Sequence, residues 1–277
     1  MKRSYTLKSA LLLLVATMLV VAGCSKKEET VPTAKDNETA TASASRLDAI
    51  KERGKLVIAT GDYYPFEYLD PETKRLVGYD IDLGQKIADK LGVQAEWKEM
   101  QFTALIPTLQ NGQADMAIAA MYITDERKKA VDMSEIYMKT GMSLVKRDGD
   151  ESINRLEDLK GKKVGVKAGA TSETAAKELV EQGYDIKIVS YKDTTDYLLD
   201  LQMGRVDAAI NDYLNQLGYN KQHAEAKLVI VGDPFTEAGL GLAVKQGDTE
   251  LLKLANDVIK ELEASGESKT MYAKWLK

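Results

Sequence analysis

Two residues of opposite charge stand beside the predicted ends of secondary-structure elements. Arg127 follows Thr124-Asp125-Glu126 at what reads as the start of a short helix. Free N–H groups at a helix start favour an anion. A guanidinium adds a fork of donors that matches a carboxylate with two parallel bonds. Asp212 closes the run Ala208-Ala-Ile-Asn211 and would hold an ammonium group. Together the two would clamp a zwitterion, such as a free amino acid. Each also has a plainer reading: Arg127 as a solvated charge in a run that continues with Lys128 and Lys129, Asp212 as the N-cap of a helix that begins Tyr213-Leu214. Tyr63, after the first predicted strand, and Phe102, at a helix start, are placed to wall a side chain, although core packing is the commoner fate of a Phe. In Val164-Gly-Val-Lys-Ala-Gly-Ala-Thr-Ser172 a strand leads into a helix. Thr171 and Ser172 are N-cap types there, and Lys167 is either a surface charge or a contact to a ligand's polar tail.

The elements that must position these residues read as alternating strands and helices. Lys55–Thr60 is a short apolar run of the buried-strand kind. Glu67 to Gly78 contains Asp70-Pro71-Glu72 and reads as a hairpin. Tyr79 to Leu91 carries apolar residues at helical spacing, with Gly92 as a stop and Asp80 as a candidate cap. Phe102 to Gln110 reads as a helix, Asp115 to Ala119 as a strand, and Thr124 to Ala130 as another short helix. Such alternation implies βαβ units. The segment Leu109-Gln-Asn-Gly-Gln-Ala-Asp-Met-Ala-Ile-Ala-Ala120 echoes Leu201-Gln-Met-Gly-Arg-Val-Asp-Ala-Ala-Ile-Asn-Asp212, with six of twelve positions identical at an offset of 92. Two copies suggest two similar lobes. Ligands of open α/β sheets bind beyond the carboxyl ends of strands, which nominates Ala119 and Ala120 in one lobe and Asn211 and Asp212 in the other.

Composition narrows the class. The 277 residues are 44% hydrophobic and 29% charged, with 38 Lys and Arg against 43 Asp and Glu, a formal charge of −5. That is globular and disfavours nucleic acid as a partner. One Cys and one His leave little material for a disulfide, a metal site or a Ser-His-Asp triad. His223 lies in a polar surface stretch, and Trp97 and Trp275 read as packing residues. No Walker-type loop is present, so ATP hydrolysis would belong to a partner. Lys2, Arg3 and Lys8 precede the 13-residue apolar run Ala10–Ala22. A helical span needs about 20 residues, so the segment reads as a secretory signal. It ends Val21-Ala22-Gly23-Cys24 and resembles a bacterial lipobox, with Val21 where Leu is usual. The sole Cys would then carry diacylglycerol. Cleavage removes three positive charges and leaves −8. Ser25 to Ser45 has no apolar periodicity and reads as a tether.

The pieces Tyr64-Pro-Phe-Glu67, Gly78-Tyr-Asp-Ile-Asp-Leu83, Leu105-Ile-Pro-Thr-Leu109, Ile123-Thr-Asp-Glu-Arg127, Leu159-Lys-Gly-Lys-Lys-Val-Gly-Val166, Gly204-Arg-Val-Asp-Ala208 and Gly239-Leu-Gly-Leu242 occur in an order that resembles the polar amino-acid-binding proteins of ABC importers, extracellular solute-binding family 3. The resemblance runs from about Leu56 to the end. It implies an α/β, periplasmic-binding-protein-like type II Venus flytrap with two lobes and a two-crossing hinge near Lys139–Met142 and Gly232–Phe235. The implied organisation is a signal peptide over 1–23, a tether over 24–45, lobe one over 46–138 and 236–277, and lobe two over 139–235. Carried over position by position, Arg127 looks like the carboxylate-binding arginine and Asp212 like the ammonium-binding aspartate. Tyr63 and Phe102 match the aromatic walls. Ala119, Ala120, Ala170 and Thr171 fall where backbone or hydroxyl contacts are offered, and Lys167 and Asn211 where side-chain selectivity is often set. Tyr122 departs from the usual Thr or Ser, and the loop Thr60–Tyr63 is one residue shorter than in common relatives.

The expected partners are a free amino acid, a membrane permease with its separate ATPase, and the membrane itself through the lipid on Cys24. The expected protein is a monomer without cofactor or metal, outside the cytoplasmic membrane of either Gram type. Two alternatives share the fold: a cyclohexadienyl (prephenate or arogenate) dehydratase, for which Lys167 or Glu67 would serve as general acid, and an amino-acid sensor lipoprotein. Lys167 and Asn211 suit an acidic or amide side chain; Asp62 and Glu67 would suit a basic one.

Overall fold

A computed structural model describes residues 45–277. The signal, Cys24 and nearly all of the expected tether lie outside these residues. Among the described residues, no helix is long and apolar enough to cross a membrane.

Two five-stranded sheets share one plan. The first runs Gln94–Glu99, Lys55–Thr60, Met116–Ala117, Ala243–Val244, Asp132–Met133; the second runs Lys187–Tyr191, Lys163–Lys167, Ala208–Asp212, Met142–Arg147, Leu228–Val231. In each, the first three strands are parallel and the fourth is antiparallel to both of its neighbours. Leu56, Ile58 and Ala59 are fully buried, as a parallel strand covered on both faces requires. The crossover helix Tyr79–Leu91 turns Leu83, Ile87 and Ala88 inward and stops at Gly92.

The internal echo is structural. Met116 and Ala117 pair with Ile58 and Ala59, while their counterparts Ala208 and Ala209 pair with Val164 and Gly165. Gly112 and Gly204 both take the left-handed conformation (φ 67° and 74°) that a non-glycine residue adopts only at a cost. Asp115 accepts from Val57 N–H at 2.8 Å, and Asp207 accepts from Lys163 N–H at 2.7 Å. The identical residues therefore do the same work twice: close a helix, turn the chain, and tie the next strand to its neighbour.

Between the sheets run two paired antiparallel strands, Met138–Thr140 and Ala238–Leu240. A helix that the sequence did not suggest, Arg46–Arg53, is capped by Ser45 and by Gly54. Its Arg46 and Arg53 both reach the buried Asp115. Asp80 is not the cap of its helix. Gly78 holds that position, and Asp80 turns into the core. The 102–110 segment opens with a short turn, Phe102–Ala104, before the helix Leu105–Gln110.

Candidate functional site

The carboxyl ends of the central strands meet a cleft lined by Tyr63, Phe102, Ala119, Ala120, Tyr122, Arg127, Met142, Lys167, Ala170, Thr171, Ser172, Tyr197 and Asp212.

Arg127 enters from the short helix Asp125–Ala130, whose Thr124 cap accepts from the Arg127 N–H at 3.2 Å. Its side chain is 9% exposed. Nη1 donates to Tyr122 O at 2.8 Å and to Thr171 Oγ1 at 3.4 Å, and Nη2 donates to Gly169 O at 3.3 Å. The guanidinium carbon lies 5.1 Å from the Phe102 ring centre. Every partner is neutral. Among the described residues no carboxylate pairs with Arg127, in contrast to the doubly paired Asp115. Burial lowers its pKa to about 10, so the group is still a cation at neutral pH. A buried cation whose remaining donors face an open cleft is an anion site.

Asp212 proves both a cap and a cleft residue. Oδ1 accepts from Asn215 N–H at 2.9 Å, capping the helix Tyr213–Gln222. Oδ2 accepts from the Tyr122 hydroxyl and from Thr140 Oγ1, the latter at 2.7 Å. Burial raises its pKa, and these hydrogen bonds pull it back. No cation pairs with it among the described residues. Tyr122 thus joins the two poles: its carbonyl receives Arg127 and its hydroxyl reaches Asp212.

Lys167, the last residue of its strand, is only 5% exposed. Nζ lies 4.9 Å from the Tyr63 ring centre and 5.6 Å from that of Phe102, within cation–π range. The Lys167 ammonium has no hydrogen-bond or ion-pair partner among the described residues. Its pKa is lowered, by burial first, with Glu67, Asp193 and Asp62 acting in the opposite direction. Ala170 caps the helix Thr171–Glu181 without a side-chain bond, which leaves the first N–H groups of that helix at the cleft.

Asn211 is the one expected residue that does not line the space. It stands behind the wall, where Oδ1 receives the hydroxyls of Tyr63 at 3.2 Å and Tyr197 at 2.8 Å. Its Nδ2 donates to Asn215 and Gln216. It therefore fixes two aromatic rings. Asp62 is exposed, outside the lining, and Glu67 is buried beneath it. Tyr197 and Met142 line the cleft unexpected, beside Ser172 of the expected cap pair. Tyr197 belongs to the helix Thr194–Gln202, where its spacing matches any core residue. Ser172 Oγ accepts from Lys167 N–H at 3.1 Å. No cluster of three or more potential metal ligands occurs among the described residues.

The model of the bacterial extracellular solute-binding proteins, family 3, matches residues 56–277. The L-cystine-binding protein TcyJ of Escherichia coli (strain K12) is 35% identical over 83% of this chain and 85% of its own length. The ABC transporter glutamine-binding protein GlnH of Bacillus subtilis (strain 168) is 33% identical over 100% of this chain and 98% of its own. Among solved structures, an ancestral arginine-binding protein bound to arginine superposes with a TM-score of 0.77 at 42% identity, over 81% of this chain and 99% of that one.

Proposed function

The chain belongs to the bacterial extracellular solute-binding proteins of family 3, and from that premise we propose that it captures a free polar amino acid between two lobes and delivers it to an ABC permease served by a separate ATPase. The observation that carries this reading is the pair of buried, oppositely charged groups on one cleft, Arg127 and Asp212, neither with a counter-ion among the described residues. Arg127, with the free N–H groups at Thr171, takes the α-carboxylate. Asp212 takes the α-ammonium, which shares Oδ2 with the Tyr122 hydroxyl. Ala119, Ala120 and Ala170 leave backbone groups open to the ligand, and Tyr63 and Phe102 wall its side chain. Lys167 favours a side chain that ends in an acceptor, a carboxylate or an amide carbonyl, and opposes a cationic one.

The strands Met138–Thr140 and Ala238–Leu240 support a two-crossing hinge between lobe one (46–138, 236–277) and lobe two (139–235). Arg127 reaches Thr171 and Gly169, and Tyr122 reaches Asp212, so closure brings both poles onto one ligand. Capture needs no bond to be made or broken, and the protein acts as a monomeric receptor rather than an enzyme. Signal cleavage before Cys24 and lipidation of its thiol would hold the body outside the cytoplasmic membrane on the 24–45 tether. The test is calorimetric titration of the purified protein with each common amino acid. At least one binds the wild type, and Arg127→Ala weakens that binding by at least about tenfold without unfolding the protein. If none binds, or if Arg127→Ala binds as tightly, the reading fails.

A further inference from the structure

Two carboxyl groups that amino-acid capture leaves unused lie beneath the cleft. Glu67 and Asp80 are 1% and 0% exposed. Asp80 N–H donates to Phe66 O at 2.8 Å, which sets the two residues side by side, close enough for each carboxyl to act on the other's ionisation. Glu67 Oε2 and Asp80 Oδ1 are both buried and meet no donor among the described residues. Two buried carboxylates side by side cannot both stay ionised, and a proton on one would give the other's orphaned oxygen a donor. Asp80 Oδ2 is committed as an acceptor, from Ala120 N–H at 2.6 Å and from the Tyr137 hydroxyl at 2.9 Å. That leaves Glu67 as the proton carrier.

The pair joins segments that are distant in sequence. Glu67 closes the aromatic turn: its N–H donates to Tyr63 O at 3.1 Å, and its carbonyl receives the Tyr63 N–H. The turn lies against Gly78, where an added Cβ would stand 2.1 Å from Phe66 O, so only glycine fits. Ala120, which lines the cleft, is held at φ 44°, a left-handed conformation unfavourable for alanine. Tyr137 immediately precedes the crossing strand Met138–Thr140.

We propose that Glu67 holds a proton shared with Asp80, and that this buried acid pair positions three parts of the binding site: the Tyr63 turn, the Ala119–Tyr122 segment and the first crossing strand. Glu67 and Asp80 are positioning residues, since neither touches the cleft. The titratable groups facing the pair are Asp62 and Tyr63 on the turn, Tyr79 beside Asp80 on its helix, Tyr137 at the crossing strand and Lys167 from the second sheet. Burial dominates their effects: it holds Glu67 well above the ordinary carboxylate range and Asp80 at about 6, while Lys167 draws Glu67 partway back.

A carboxyl whose pKa is raised by folding contributes stability that is complete below the unfolded-state value and is lost as pH rises through the folded-state value. For one proton the folding equilibrium falls by up to about tenfold per pH unit in that window.

The experiment compares the wild type, Glu67→Gln and Glu67→Ala, without ligand, by denaturant unfolding between about pH 5 and pH 9. Gln keeps a donor for Asp80 and cannot ionise. The wild type loses stability as pH rises, whereas the Gln variant is flatter and gains on the wild type towards the alkaline end. The Ala variant, with no donor, is the weakest at every pH. Infrared spectroscopy of the wild type at neutral pH shows the C=O stretch of a protonated carboxyl, and the Gln variant lacks it. An equal pH slope in wild type and Gln variant, or no such band in the wild type, overturns the proposal. If the Gln variant does not fold, the wild-type band alone decides. The positioning role rests on the amino-acid capture reading, and the shared proton does not. Amino-acid affinity of the wild type should fall over the same pH range while that of the Gln variant holds; an unchanged difference overturns positioning. If the band and the slopes appear but no amino acid binds, the shared proton stands and the capture reading falls.

Discussion

Replacing Lys167 by Met separates affinity from stability. The ammonium is 5% exposed, stands over two aromatic rings and pairs with no carboxylate among the described residues. Met keeps most of the volume and the contact with the rings. A hydrogen bond to a charged group is worth about 1.5–3 kcal/mol net. Loss of Lys167 should therefore weaken glutamate by about 10- to 150-fold. Glutamine offers the same ammonium a neutral acceptor without the ion-pair attraction, so its loss should fall at the low end of that range, about tenfold. Arginine should gain, because a buried like charge has been removed. Stability without ligand should hold or rise, since burial already penalises this ammonium. Parallel calorimetric titrations with the three amino acids, with denaturant unfolding of both proteins, provide the readout. An equal loss for glutamate, glutamine and arginine would show that Lys167 merely supports the site, and unchanged affinities would refute its role in selectivity.

Three further outcomes are expected. Tyr122→Phe removes a hydroxyl bond to a buried carboxylate, so it should cost about 1.5–3 kcal/mol of unfolding free energy; it should also raise the Asp212 pKa further, since that bond lowers it, and ligand affinity in the variant should therefore fail at a higher pH on acidification. Asp115→Ala releases the partly exposed Arg46 and Arg53 and unties Val57, and should destabilise by about 1.5–3 kcal/mol with little effect on ligand affinity once the protein is folded. Cys24→Ser should release the protein from membranes into the soluble fraction of its host, as read by fractionation and by loss of radiolabelled fatty acid.

The sequence was informative wherever one short segment settles its own conformation. Lys55–Thr60 and Tyr79–Leu91 appear with the expected bounds because an unbroken apolar run and a 3.6-residue stripe closed by Gly92 each leave one reading. The echo carried the paired architecture because Gly112 and Gly204, and Asp115 and Asp207, meet the same backbone demand twice. It was less informative where a side chain's partner is remote. Asp80 has a helix-cap residue type and position, yet its partner is Ala120 N–H, forty residues on. Asp212 fits two descriptions because its two oxygens do different work. Asn211 lies one residue before the cleft, and strand alternation turned it behind the wall. The helix Arg46–Arg53 is strongly polar and is secured by Asp115, a contact that no local pattern reveals.

The central claim is that one dipolar ligand is gripped at both ends. The most direct measurement titrates the tightest-binding amino acid against its α-amide and its deaminated analogue. The account predicts that loss of the carboxylate charge and loss of the ammonium each weaken binding by at least about tenfold, as expected for one charged hydrogen bond apiece. It also predicts that Arg127→Ala no longer distinguishes the acid from its amide. Equal affinity for the amino acid and both analogues would contradict it.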